Sequence, residues 1–410
     1  MRLTILPSLV GAVLLAAVGI GEPKEAPPLP PPQGSVQTVN DAAQLVAAVE
    51  KAGDDTTILI ADGTYRLPRL IYMRGKKNMT VRGASGDPDK VVLCGKGWDS
   101  EDKQDDILRI GDCENVTVAH LTFSDCHSYG VKVQAEDNPR NIHIYNCHFR
   151  DIGIRMIKGS GAAGRRGPCA RGGSIRFCHF ENTRIPPAHW LYGGNYISAI
   201  DMMALDGWTI SDNVFKNIKG CTGGGRAAIF IWVLSRNVTV ERNLIVDCDR
   251  GVAFGNPSIS TSKVGEEEFH MQNGICRNNF IVPGPDAGIE LWWVDGAKIY
   301  SNTIWRRDVS GRGIRCGSRL NNVRVADNLV RGQILNEGDK SESHLRLEKN
   351  LAGSLDGWFV NPAAGDLHLT KLAVGALHAA VPLPEVVDDF DGRPRGTQPD
   401  IGASEFDARR

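Results

Sequence analysis

Residues 237–256 read NVTVERNLIVDCDRGVAFGN, and this stretch contains one whole structural unit. Val238 and Val240 flank Thr239, the period-two pattern of a half-buried strand. Asn243 breaks that run and opens another, Leu244-Ile245-Val246, and Gly251-Val252-Ala253-Phe254 alternates again. The unit recurs. An Asn begins a short apolar run at Asn213 (N-V-F), Asn243 (N-L-I), Asn279 (N-F-I), Asn302 (N-T-I) and Asn328 (N-L-V). Asn350 extends the series, and Cys147 and Cys178 hold the same place in C-H-F. The spacing drifts from about 22 to about 36 residues, the range of solenoid repeats. One coil cannot bury its own apolar face, whereas stacked coils can. The pattern therefore predicts an all-β solenoid whose equivalent side chains form columns. A repeated Asn turn lets each amide bond to the next rung.

The rest of the 410 residues fits around this repeat. Forty-six glycines and pieces such as N-V-T-V, N-I-H-I and A-K-I-Y match many short strands joined by turns. Lys plus Arg (47) nearly cancels Asp plus Glu (48), so no basic excess points to nucleic acid. Residues 1–21 read as a signal peptide: Met1-Arg2 is the charged end, Leu3–Gly19 the apolar stretch, with small residues at Ala17 and Gly19. The alternative is a retained anchor; after cleavage no membrane segment is expected. Residues 22–35 read as a proline-rich linker outside the fold. Residues 36–354 are assigned to the solenoid, with a short helix over 38–52 capping its open end through Leu45, Val46 and Val49, and Asn40 or Asp41 at its start. Residues 355–410 lose the coil spacing and are expected to pack along the solenoid or cap it. The Asp-rich run Val387–Asp391 reads as a solvated turn. The ten cysteines would permit disulfides after export, but small buried hydrophobes are the expected role.

Aligning the second strands from the Asn or Cys turn gives G-V-K-V (130–133), M-I-K-G (156–159), A-I-D-M (199–202), A-I-F-I (228–231), G-V-A-F (251–254), G-I-E-L (288–291) and G-I-R-C (313–316). Alternation sends the third residue of each outward, to solvent. The predicted column is Lys132, Lys158, Asp201, Phe230, Ala253, Glu290 and Arg315, with Trp232 and Trp292 further along the same face. Arg226 and Arg250 precede two of these strands and should edge the groove. An insertion carrying His189 and Tyr192 lies just before Asp201 and can fold over it. Exposed aromatics stack on sugar faces and cations pair with carboxylates, so the surface suits an acidic polysaccharide. Ordinary solvated charge, with Trp292 under a loop, is the alternative.

The run VNDAAQLVAAVEKAGDDTTILIADGTY followed by N-x-T-V coils resembles right-handed parallel β-helix proteins of the pectate-lyase type, in particular the group of chondroitinase B and the alginate lyases. The ending DFDGRPRGTQPDIGASEF is similar to a C-terminal segment of exported bacterial β-helix proteins, which implies export to the periplasm or medium; separately, a monomer is expected. The resemblance implies a polysaccharide lyase acting on uronate glycans by β-elimination. A Lys or Arg base takes the proton beside the carboxylate, and calcium or another cation neutralises that carboxylate. Lys132, Lys158, Arg250 and Arg315 are then the catalytic residues. Asp201, Arg226, Phe230, Trp232, Glu290, Trp292, His189 and Tyr192 bind substrate, with Asp201 and Glu290 as calcium ligands. A β-helix glycoside hydrolase and a non-catalytic polysaccharide-binding or envelope protein remain alternatives.

Overall fold

The computed structural model describes residues 24–102, 105–161, 167–258, 269–338 and 344–409; the predicted signal peptide lies outside them. Three long sheets run the length of the molecule. The first extends from Ser35–Val39 to Leu345–Glu348, the second from Gly63–Arg66 to Leu351–Gly353, and the third from Ile71–Arg74 to Gln333–Asn336. Within each, every strand pairs in parallel with its equivalent in the next coil. The stretch quoted first is one turn: Thr239–Glu241 in the first sheet, Leu244–Val246 in the second and Arg250–Phe254 in the third.

The bend between the first and second strands has a physical signature. The residue before each ladder position is left-handed: φ is 60° at Asp212, 52° at Arg242, 53° at Asn278, 48° at Ser301 and 55° at Asp327. That conformation costs energy for a side chain other than Gly, and the following Asn offsets it. Asn213 Nδ2 donates to Asn243 Oδ1 (2.9 Å), Asn243 to Asn279 (3.0 Å), Asn279 to Asn302 (2.9 Å), Asn302 to Asn328 (2.9 Å) and Asn328 to Asn350 (2.9 Å). Each acceptor oxygen also takes the backbone N–H of the preceding Asn, and Asn213 Oδ1 takes that of Cys178. Each amide donates besides to a carbonyl one coil back, as Asn302 does to Cys276 O. Asn is the side chain that meets all these demands at once, with two donors and one double acceptor.

The core repeats in register as well. Phe123, Phe149, Phe180 and Phe215 stack at 5.0, 4.8 and 4.7 Å between centroids, and the column continues through Ile245, Ile281, Ile304 and Val330. All ten cysteines are unbonded and nine are buried. A helix, α1 (Ala42–Lys51), covers the first coil with Leu45, Val46, Ala48 and Val49, and Asp41 caps it by accepting from Gln44 N at 2.7 Å. Among the described residues no helix is long and apolar enough to cross a membrane.

Two expectations for the chain ends need correction. Residues 24–33 are not a detached spacer: Pro27 and Pro30 carbonyls accept from Tyr145 and Arg82, and Gln33 O accepts from Thr57 Oγ1 (2.7 Å). Proline cannot donate to a ladder, but its carbonyl still accepts. The Val387–Asp391 run is no solvated turn. Asp388 pairs with Arg242 (2.7 Å), and Asp389, fully buried, accepts from the N–H groups of Asp391, Arg393 and Glu405. The C-terminal segment lies on the outer face of the second sheet. There Phe390 stacks on Phe280 at 3.9 Å, and Leu367, Leu369 and Ile401 join Val214, Leu244 and Leu329.

Two stability tests follow. Replacing Asn302 by Ala strands several buried donors and acceptors, each worth about 1–3 kcal/mol, so we expect urea denaturation to show a loss above about 3 kcal/mol. Asn141→Ala, on the exposed Asn115–Asn141 pair, should cost under about 1 kcal/mol. The second test concerns His179, whose pKa burial, aided by His148 and Lys216, pushes down from 6.5 to about 4. The unfolded chain therefore binds more protons between those values. The contribution is complete above about pH 6.5 and is lost as pH falls towards 4. His179→Asn should flatten the melting temperature across that window.

Candidate active site on the third sheet

The third sheet aligns Arg109, Lys132, Lys158, Asp201, Phe230, Ala253, Glu290 and Arg315 in one row across consecutive strands. The row lies outside the solenoid core but is not open to solvent as expected. Asp201 and Ala253 are 0% exposed, Glu290 1%, Phe230 4% and Lys158 7%. Neighbouring side chains cover them: Arg155, Lys158 and Trp232 close over Asp201, and Trp232 stacks on Phe230.

A second row on the same face comes three residues earlier in the chain: Asp106, Tyr129, Arg155 and Ser198, then Ala227 beside Arg250. Period-two alternation does not predict it. At the corner entering each of these strands, two consecutive residues point into the core: Met156-Ile157, Ala199-Ile200 and Ala228-Ile229. The corner resets the phase, so Arg155 shares a face with Lys158.

Arg155 organises the centre. It is fully buried, its Nε donates to Asp201 Oδ2 (2.5 Å) and its Nη1 to Ile154 O (2.9 Å), while Nη2 has no partner among the described residues. Tyr196, from the predicted insertion, lies over its guanidinium at 3.8 Å. Lys158 Nζ (3.0 Å) and Trp232 Nε1 (3.0 Å) donate to the other oxygen of Asp201. Burial pushes the Asp201 carboxyl up, but Lys158 and Arg155 outweigh it and hold it well below the usual range. Further along, Glu290 meets Arg250 (2.5 Å) and, more distantly, Arg315 (3.9 Å); burial raises its pKa despite Arg250. Arg250 also pairs with Asp286, and Arg315 with Glu337 (2.7 Å).

Several sequence assignments change on this geometry. Asp201 and Glu290 stand three strands apart, roughly 14 Å at the ordinary strand spacing; Asp201 is ringed by N–H donors, and Glu290 accepts from Arg250. Calcium takes six to eight oxygen ligands, so these two residues do not fit a shared calcium site. Phe230 is covered and stacks on Trp232 at 4.9 Å. Trp292 is 9% exposed, against Gly317 and under Arg315 at 4.9 Å. Neither is an open platform for a sugar. Arg250, Arg315 and Lys158 are held in ion pairs.

Lys132 and Arg226 differ from these. Neither has an ion pair within 4.0 Å among the described residues. Lys132 lies half-buried, 5.7 Å from the Tyr129 ring. Arg226 is half-buried beside Arg155 and Arg250, and burial lowers its pKa, as do those two cations. Its place is set by two loops. Asp249 Oδ2 accepts from Gly220 N and Gly225 N (2.8 Å each), and a Cβ on Gly225 would sit 2.8 Å from that oxygen. Asn195 Nδ2 donates to Thr222 Oγ1 (2.9 Å), tying this loop to the insertion. Tyr192, 71% exposed, stands over Arg226 at 5.9 Å, and His189 is exposed on the same insertion.

The sequence reading missed Asp106, Arg109, Tyr129, Arg155 and Tyr196. Asp106 pairs with Arg109, and burial raises its pKa. Burial, with Tyr196, pushes the Tyr129 hydroxyl up to about 12. Tyr129 and Arg155 each lie three residues before a column lysine, which was the available signal.

Residues 106–304 match the family model described as a right-handed β-helix region. The chain folds as a right-handed parallel β-helix. The crystal structure of pectate lyase Pel9A superposes on this β-helix with a TM-score of 0.55 at 10% identity, covering 88% of this chain and 90% of that one. The A-module of the mannuronan C-5 epimerase AlgE6 from Azotobacter vinelandii gives 0.46 at 11% identity, over 75% of this chain and 94% of that one. The polysaccharide lyase Pedsa3628 from Pseudopedobacter saltans gives 0.43 at 13% identity, over 89% and 98%. No curated protein sequence matches the chain. The likeness to pectate lyase establishes the architecture of this β-helix.

Asp201 tests the centre. Asp201→Asn removes the charge facing two buried cations, and breaking such a pair costs about 3–5 kcal/mol. We expect a loss of that size by chemical denaturation at neutral pH. The wild-type contribution is present above the ordinary carboxylate range and disappears only as pH falls through the lowered value. The gap between variant and wild type should therefore persist at pH about 4.

Proposed function

We propose that this protein is an exported polysaccharide lyase that cleaves a uronate-containing glycan by β-elimination. The observation that carries this reading is the pair of cations left unpaired in an otherwise neutralised face. Arg109, Arg155, Lys158, Arg250 and Arg315 each have a carboxylate, whereas Lys132 and Arg226 have none within 4.0 Å among the described residues. A half-buried guanidinium without a counter-ion is a site for a carboxylate, which it meets with two parallel hydrogen bonds.

In this reading Arg109, beside Lys132 in the row and partly exposed, neutralises the carboxylate of the reacting uronate and acidifies the adjacent C–H, while Arg226, three strands away, holds the carboxylate of another sugar of the same chain. Lys132 takes that proton. The electron pair forms the carbon–carbon double bond, and the glycosidic oxygen leaves with a proton. Tyr129, on the same strand as Lys132 and protonated at neutral pH, is placed to supply it. Guanidinium groups occupy the role that calcium would play, and no step is assigned to a metal. The protein acts as a monomer outside the cytoplasm.

The test is ultraviolet absorbance of the unsaturated uronate during incubation with alginate, pectate, glucuronan and chondroitin-type chains, with and without chelator. We expect product with at least one chain and no effect of chelator. Lys132→Ala should lower kcat by about 10²–10⁴-fold, while Arg226→Ala should reduce kcat/KM. A flat trace with all chains, together with new reducing ends, would make the protein a hydrolase. Binding without either product would make it a carbohydrate-binding protein.

A further inference from the structure

Beside the cationic face lies a cleft of about 810 Å³ whose chemistry is different. Its floor is His127, Tyr129, Gly153 and Ile154; one wall is the insertion, with Trp190 and Tyr196; the other is Asp99–Glu101. The aromatic surface is built, not incidental. Trp190 lies 4.4 Å from the His127 ring and 5.3 Å from Trp98, which is itself buried. It rests on Gly153, where a Cβ would come within 2.5 Å of the indole. His127 Nδ1 faces Trp98 O at 3.2 Å, so in the neutral ring Nδ1 carries the proton and Nε2 offers a lone pair. The cleft joins the cationic face through two residues. Tyr129 shares a strand with Lys132, and Tyr196 lies on Arg155.

The charges on the two sides are opposite. The cationic face attracts a carboxylate, whereas the cleft rim carries Glu101, which repels one, and Asp99, whose charge is partly met by Arg184 at 3.8 Å. An aromatic wall with a hydrogen-bond acceptor and an acidic rim suits a sugar ring bearing hydroxyls and no negative charge. We propose that the cleft binds an uncharged sugar of the same chain, so that the substrate links uronate to neutral sugar and is not a uronate homopolymer. The statement about chain composition rests on the uronate reading above; the statement about the cleft does not.

Binding, not turnover, tests it, using the full mature chain. The probes are a neutral xylotetraose, a glucuronic acid tetramer, and a xylo-oligosaccharide carrying one glucuronic acid. Tryptophan fluorescence should change with the neutral probe, and Trp190→Phe, which keeps a ring on Gly153, should abolish that change while the circular dichroism melt stays near wild type. The mixed oligosaccharide should bind at least about tenfold tighter than the uronate tetramer, a difference of about 1.4 kcal/mol. The double variant D99N/E101Q should narrow the gap by tightening the tetramer. A neutral probe that leaves the fluorescence unchanged would overturn the cleft assignment. Equal binding of the two acidic probes, unaffected by D99N/E101Q, would overturn the mixed-chain substrate. A neutral probe that binds while neither acidic probe does would support the cleft and sink the uronate reading instead.

Discussion

The Asn ladder is the constraint on which the rest of the molecule depends. A parallel coil must turn sharply after its first strand, and here it turns through a left-handed residue that is seldom glycine. Such a turn holds only if something ties each corner to the next. The amides from Asn213 to Asn350 do so, satisfying buried backbone groups while fixing the register of neighbouring coils. Once register is fixed, the Phe and Ile columns of the core follow, and so do the outward rows of the third sheet.

Columns impose an electrostatic problem. Equivalent positions on adjacent coils are close, so a row of cations would repel itself strongly where it is covered. The third sheet resolves this by interleaving. Asp201 serves Arg155 and Lys158; Glu290 and Asp286 serve Arg250; Glu337 serves Arg315. The carboxylates that looked like metal ligands in the sequence are thus counter-ions. What remains unbalanced is local, at Lys132 and Arg226, and the proposed anion site rests on that imbalance.

The repeat, the cap helix and the composition of the principal row were legible because each is a periodic or local signal. Asp41 and the Leu45–Val49 stripe needed only helical spacing, and Lys132 to Arg315 needed only an anchor at the Asn turn. The second row was not legible, since Met156-Ile157 and its equivalents break alternation at the corner. Exposure was not legible either: Phe230 and Trp292 occupy outward positions, yet Trp232 stacks on the first, and Arg315 and Gly317 of the next coil pack on the second. The same holds for the Asp388–Asp389 turn, which is polar by composition and buried by its partners Arg242 and Arg393. Pairings across coils depend on distances that a linear pattern does not contain.

The chain ends carry one more consequence. Lys24 Nζ, at the start of the described residues, pairs with Asp212 (3.1 Å), bonds to Phe390 O and lies 4.4 Å from the Phe390 ring. Phe390 in turn stacks on Phe280, and its neighbour Asp388 holds Arg242. A solenoid built only of nearest-neighbour contacts frays from either end, because each coil answers only to the next. Here segments from both ends of the chain meet over the middle coils. The stack behaves less like a zipper with two open ends than like a belt buckled at its waist, in which loosening an outer coil strains the clasp.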